Sequence, residues 1–271
     1  MKKYFSLIFL VLLSASIVIS AQKANPASDF EYELYYDSTG INITKYKGTS
    51  KDVIIPSTIE DLQVVALESA SFADSKIVSV TIPNCVIVIG SYCFGKCKYL
   101  EKVTLPKDLK YIFSKCFYKC EALKEIVLPP SIEKIEHHLF SESGLESIII
   151  PDSVQVIEQG AFKKCSALTN ITIPDSVQMI GSDAFASCTS LASVTVGKGI
   201  RQINSAAFIN CSSLTSFNIG EHKLKDGSFK LRGQSYSGGY GGLGYGAFRG
   251  CSSLSLKEQK KIRDTGYSGG F

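Results

Sequence analysis

The chain has 271 residues, 29 Lys and Arg against 25 Asp and Glu, and a formal charge of +4. A balance this close to neutral, with no basic block, argues against a nucleic-acid partner. The length would suit one or two ordinary domains, but internal repetition makes that estimate irrelevant.

Residues 1–21 read as a secretory signal peptide. Lys2 and Lys3 precede an apolar run from Tyr4 to Ile19, and Ser20 and Ala21 supply a small-residue cleavage site. The run is about 16 residues, short of the roughly 20 that a spanning helix needs. The first cysteine is Cys85, so no lipid-attachment thiol lies near the cleavage point. No second apolar run is long enough to span a membrane. The mature chain, at +2 without Lys2 and Lys3, is expected to be secreted or held at the cell surface, with the periplasm also open.

Residues 22–52 are expected to form a linker and a β-hairpin cap. Phe30 to Tyr36 alternates, Asp37-Ser38-Thr39-Gly40 is a turn signal, and Ile41 to Tyr46 alternates again.

From 53 to 254 the chain repeats. An apolar residue followed by proline or glycine recurs at Pro56, Pro83, Pro106, Pro129, Pro151, Pro174, Gly197 and Gly220, spaced by 22 or 23 after a first interval of 27. Phe72, Phe94, Phe117, Phe140, Phe162, Phe185, Phe208 and Phe248 keep the same beat. In the unit from Ala161 to Gly181, strand alternation turns Leu168, Ile171 and Ile173 inward and Thr172 outward. Val177 and Ile180 form a second inward edge, and Phe185 fills the interior of the next coil. One coil cannot bury its own apolar face, so coils must stack. The expected fold is a β-rich solenoid of about eight coils of about 23 residues. Two coils, Phe72 to Pro83 and Phe140 to Pro151, are one residue short and carry Ser75 and Ser143 where the others have cysteine, which predicts an alternative turn.

The pattern AF-x-x-C-x-x-L-x-x-[IV]-x-[IL]-P-x-S-[VI]-x-x-I-G resembles the BspA-like leucine-rich repeat of bacterial and protist surface proteins. The resemblance covers about residues 53 to 254. It implies an adhesin-type module that binds host matrix proteins, host cells or other bacteria.

Seventeen extra residues separate Gly220 from Phe248, within a Gly/Tyr-rich insertion at 221–246. So much glycine favours a mobile loop; the alternative is a contact loop bearing Tyr236, Tyr240 and Tyr245. Residues 255–271 read as a C-terminal cap. Ser255 and Glu258 make a capping box, a helix runs from Leu256 to Thr265, and Gly266 stops it. The tail Tyr267 to Phe271 echoes Tyr236 to Tyr240 with no evident reason.

Motifs that mimic chemistry fail on context. Gly239 to Gly244 matches G-x-G-x-x-G, but no strand and helix flank it as a dinucleotide site requires. Gly266 to Gly270 matches G-x-S-x-G with no room for the helix that a nucleophile elbow needs. His137, His138 and His222 lack metal spacing; the first two would point to opposite sides if the backbone were extended, and an exposed turn is the better reading. Six cysteines occupy the repeat's own buried position, and Cys93 and Cys116 fill a slot that is alanine elsewhere. A Cys93–Cys116 disulfide, at about 5 Å between adjacent coils, stays open. A zinc site from Cys93, Cys97, Cys116 and Cys120 is the weaker alternative. Neither a cofactor nor an enzymatic activity is expected.

The outward strand positions form the candidate partner-binding face. One column holds Lys102, Glu125, Ser147, Asn170 and Ser193, and its neighbour holds Thr104, Val127, Ile149, Thr172 and Thr195. The face is hydroxyl-rich with an apolar centre, suited to a protein or cell-surface glycoprotein; plain strand preference for threonine explains it equally well. A structural role in the cell envelope without a dedicated host ligand is the alternative function. The sequence leaves the oligomeric state open.

Overall fold

The computed structural model describes residues 23–219, 244–267 and 269–271. The signal-peptide segment and the bulk of the Gly/Tyr-rich insertion, with Tyr236, Tyr240 and His222, lie outside the described residues. The rest is a β-solenoid of about eight turns of about 23 residues, closed by one C-terminal helix.

A regular coil contributes two short parallel rungs. The front rungs pair in register, as in Asn170↔Ser193↔Ser216 and Thr172↔Thr195↔Asn218. The back rungs do likewise, as in Ile157↔Ile180↔Ile203. The alternation read from sequence holds. Leu168, Ile171, Ile173, Val177 and Ile180 are all buried, while Thr172 is exposed.

The phenylalanines form the spine of the core. All eight, from Phe72 to Phe248, are fully buried, and successive ring centroids lie 5.1–5.7 Å apart. Around each one the backbone alternates in handedness. The residues two before and two after every phenylalanine are left-handed, in columns that run from Ala70 to Gly246 and from Asp74 to Gly250. Most of these are not glycine, and each such residue costs ~1–2 kcal/mol. The offset is visible in the hydrogen bonds. Gly160, Phe162 and Lys164 donate their N–H groups to Ser182, Ala184 and Ala186 of the next coil at 3.0, 2.8 and 2.7 Å. Alternating handedness points all three N–H groups the same way along the solenoid, so each turn becomes a third ladder between coils.

The repeat cysteine has a defined partner. Its thiol donates to the phenylalanine carbonyl of the preceding coil, Cys165 to Phe140 and Cys188 to Phe162, each at 3.1 Å. Cys97, Cys120, Cys211 and Cys251 repeat the contact at 3.1–3.2 Å. In the two short coils, Ser75 and Ser143 instead place their hydroxyls 3.3 and 3.4 Å from the thiols of Cys97 and Cys165.

The first interval of 27 also has a cause. Pro56 to Phe72 spans 16 residues, against 11 for Pro83 to Phe94. The surplus folds into a small hairpin, Thr58–Ile59 against Leu62–Gln63. Its two turn residues, Glu60 and Asp61, are both left-handed, as a tight primed turn requires.

Both ends are capped. At the start, Phe30–Leu34 pairs antiparallel with Ile41–Tyr46, which itself runs parallel to Leu62–Leu67. Asp37 shapes the hairpin turn by accepting the hydroxyl and N–H of Thr39, which hold its carboxyl below the usual range. Glu31 and Glu33 charge the outer edge against further pairing. Tyr46 stacks on Phe72 at 5.3 Å, so the cap also terminates the ring column.

At the far end the helix spans Leu256–Asp264, one residue less than the sequence predicts, because Thr265 serves as its C-cap. Gly266 follows with φ +97°, a conformation other residues resist. Only half of the capping box forms. Ser255 Oγ accepts the Glu258 N–H at 3.2 Å, but the Glu258 carboxylate turns to Lys261 at 2.7 Å. The tail now has a role: Tyr267 packs edge-on against Phe248 at 5.3 Å, and Phe271 approaches it at 6.2 Å. The Tyr267 hydroxyl accepts the Phe248 N–H at 3.3 Å and donates to Gly270 O at 2.7 Å. In every earlier coil that N–H goes to the next coil; here a side chain takes it.

All nine cysteines are free thiols. Burial raises the eight core thiols, with Cys165 and Cys251 pushed up to about 12. Only Cys85 is partly exposed, bonded to Ser57 O at 3.4 Å. Native protein treated with iodoacetamide is therefore expected to label at Cys85 first, with the other eight reacting only on unfolding. Mass spectrometry after labelling in denaturant without reductant should count nine adducts; seven would mean a disulfide.

Candidate binding face

The ten predicted face residues all lie on the front of the solenoid. Nine are exposed and Ser193 is half-buried. Their columns run in register: Ser79↔Lys102 and Thr81↔Thr104 at one end, Asn170↔Ser193 and Thr172↔Thr195 at the other. At the centre Val127 pairs with Ile149, and both side chains are 85 % exposed.

The front rungs do not form one continuous ladder. One ladder joins Asp52–Ile54, Ser79–Thr81 and Lys102–Thr104, and another joins Asn170–Ile173, Ser193–Val196 and Ser216–Ile219. Between them, among the described residues, only the Val127–Ile149 bridge forms. The inward neighbours loosen there too, since Val103, Leu105 and Ile148 are only partly buried. The apolar centre therefore sits at the interruption of the front ladder. At its margin Lys124 and Glu146 form an exposed ion pair at 2.9 Å, of a kind worth ~0–1 kcal/mol.

Tyr245 does not join this face. Gly244 N–H donates to Ile203 O, which places the returning chain on the back ladder, and the Tyr245 side chain is exposed there. Tyr236 and Tyr240 lie outside the described residues.

His137 and His138 lie in a turn, as the sequence favours, with His137 exposed. His138 is left-handed, at φ +53°, because it occupies one of the turn columns. Burial and the nearby Lys115 and Lys163 lower its pKa. His137 lies 3.8 Å from the Glu158 carboxylate. Cys93, Cys97, Cys116 and Cys120 are core thiols, and no group of three or more His, Cys, Asp or Glu side chains could hold a metal among the described residues. Gly239 to Leu243 of the glycine motif and Ser268 of the serine motif lie outside the described residues. No helix among the described residues is long and apolar enough to cross a membrane.

A family model described as BspA type leucine rich repeat region, in six copies, matches residues 41–169 and 133–255. Among solved structures, a leucine-rich-repeat protein of T. pallidum is 30% identical, covers 92% of this chain and 99% of its own, and superposes with a TM-score of 0.64. A leucine rich cell surface protein of Faecalibacterium prausnitzii A2-165 is 21% identical over 86% of this chain and 88% of its own, with a TM-score of 0.50. No curated protein matches. The repeat and the fold are typical of protein-interaction modules. Two independent signals, the repeat model and the T. pallidum superposition, thus coincide over the same coils, and the chain belongs to the BspA-type leucine-rich-repeat family.

Proposed function

We propose that this chain is an exported, adhesin-type binding module that holds a protein or cell-surface glycoprotein on its front face. The contact set is Lys102, Thr104, Glu125, Val127, Ser147, Ile149, Asn170, Thr172, Ser193 and Thr195. The observation that carries the proposal is the pair Val127 and Ile149, side by side and each 85 % exposed. Single exposed aliphatics are common. Two in register, bordered by Ser, Thr and Asn with Glu125 and the Lys124–Glu146 pair at the margin, have the make-up of an interface centre with a polar rim. Export rests on the leader pattern at residues 1–21, with 22–52 and 255–271 as caps and 53–254 as the binding solenoid.

A standard interface takes roughly 800 Å² from each partner, within reach of a face this long. Its few charges mean weak steering, so binding should change little with salt.

The test is the double variant Ile149→Arg, Thr172→Arg in the chain without residues 1–21, screened against immobilised matrix glycoproteins and bacterial surfaces. At least tenfold weaker binding is expected, about 1.4 kcal/mol, with the unfolding midpoint unchanged. Unaltered binding would place the contact surface elsewhere.

A further inference from the structure

The back of the solenoid carries an interruption of its own. Tyr111–Ile112 ends one sheet and Lys134–Ile135 begins the next, and among the described residues no backbone hydrogen bond joins these strands. The break is confined. On one side Ser131 Oγ donates to Leu109 O at 2.6 Å, and on the other Lys115 N–H donates to His137 O at 3.0 Å. Pinned at both corners, the coils cannot part far enough for an inserted strand, which needs ~4.8 Å on each side. A cleft of about 450 Å³ opens between the pins, within the roughly 300–1,000 Å³ of small-molecule sites.

The lining is not what the repeat supplies elsewhere. Tyr111 and Phe113 project into water at 57% and 43% exposure, with rings 6.1 Å apart and 16° from parallel. The corresponding residues are Val88 and Gly90 in the coil before, and Lys134 and Glu136 in the coil after. Core packing therefore does not account for the two rings. Around them stand Lys110 and Lys134, Glu133 and Glu136, two charges of each sign. The balance favours neither an anion nor a cation. Glu133 and Glu136 make no ion pair among the described residues, while Lys134 reaches Glu158 only at 3.9 Å. Free carboxylates accept hydroxyl protons, ammonium groups donate, and the negative faces of aromatic rings attract C–H edges. A pyranose presents both partners at once, a C–H face and a girdle of hydroxyls.

We propose that this cleft binds a neutral saccharide, which packs its C–H face on Tyr111 and Phe113 and hydrogen-bonds its hydroxyls to Glu133 and Glu136. The site is separate from the front face and does not depend on it.

The test uses the chain without residues 1–21 and four probes: cellotriose, maltotriose, N,N′,N″-triacetylchitotriose and, as a polyanion, heparin. Saturation-transfer NMR should show transfer to the C–H protons of at least one neutral trimer. Titration of that trimer should give about tenfold weaker binding in Tyr111→Ala, Phe113→Ala and again in Glu133→Gln, Glu136→Gln. These side chains lie at the surface, so unfolding midpoints should hold, and Ile149→Arg, Thr172→Arg should bind sugar as the wild type does. Absence of transfer from all three trimers, transfer equal in both double variants, or binding of heparin alone would each overturn the proposal.

Discussion

Replacing Phe162 with alanine is expected to lower the unfolding free energy by about 3–5 kcal/mol, the range for aromatic truncation in a packed core. The size of the loss depends on how well the hole can collapse. Phe162 is fully buried, with ring neighbours Phe140 and Phe185 at 5.5 and 5.1 Å. Its coil is held from both sides by backbone bonds, Phe140 N–H to Ala161 O and Phe162 N–H to Ala184 O, each at 2.8 Å. Those bonds fix the spacing between coils, so neighbouring rings cannot close in and the cavity persists. Leucine refills part of the volume and should cost less. Because each coil touches only its neighbours, a mid-stack hole also weakens the coupling between the two halves. Urea unfolding of Phe162→Ala should show a lower midpoint and a shallower slope as the halves begin to unfold separately. A loss below about 1 kcal/mol would contradict a shared core built on the ring column.

The same geometry explains which features could be read from the sequence. Burial in a solenoid is periodic, so the interval of 22 or 23 residues was enough to place Phe162, Leu168, Ile171 and Val177 inside and Thr172 outside. The front columns followed from alternation, although their interruption on either side of Val127 and Ile149 did not. Pairing lapses depend on the spacing of particular coils, which no local pattern encodes. The left-handed columns were likewise invisible, because Tyr92, Lys96, Lys119 and Asp183 occupy them where glycine would have been the signal. For the cysteines, the sequence showed a small buried group but not the carbonyl that its thiol meets one coil away. The cleft beside Tyr111 and Phe113 went unread for the same reason as the front break. Two aromatics at alternate positions look like ordinary strand residues until the neighbouring rung fails to pair.

The second large effect concerns the end of the stack. Truncation after Gly266, which removes Tyr267 to Phe271, is expected to cost about 3–5 kcal/mol, as much as deleting an internal ring. Phe248 is the last ring of the column among the described residues, and its outer face needs cover. Tyr267 and Phe271 supply that cover, and Arg263 closes over the Phe271 ring at 4.9 Å. Tyr267→Phe separates the two contributions. It keeps the ring but leaves the Phe248 N–H without its acceptor, at a cost of about 1–3 kcal/mol for a buried group. In a one-dimensional array the damage should stay local. Hydrogen exchange should therefore show lost protection at Phe248 and Cys251 in the truncated chain, while Phe94 and Phe117 remain as protected as in the wild type. Loss of protection along the whole solenoid would mean that the coils unfold as one unit. In that case the tail would act as a latch for the entire stack, and not simply as a lid on its last coil.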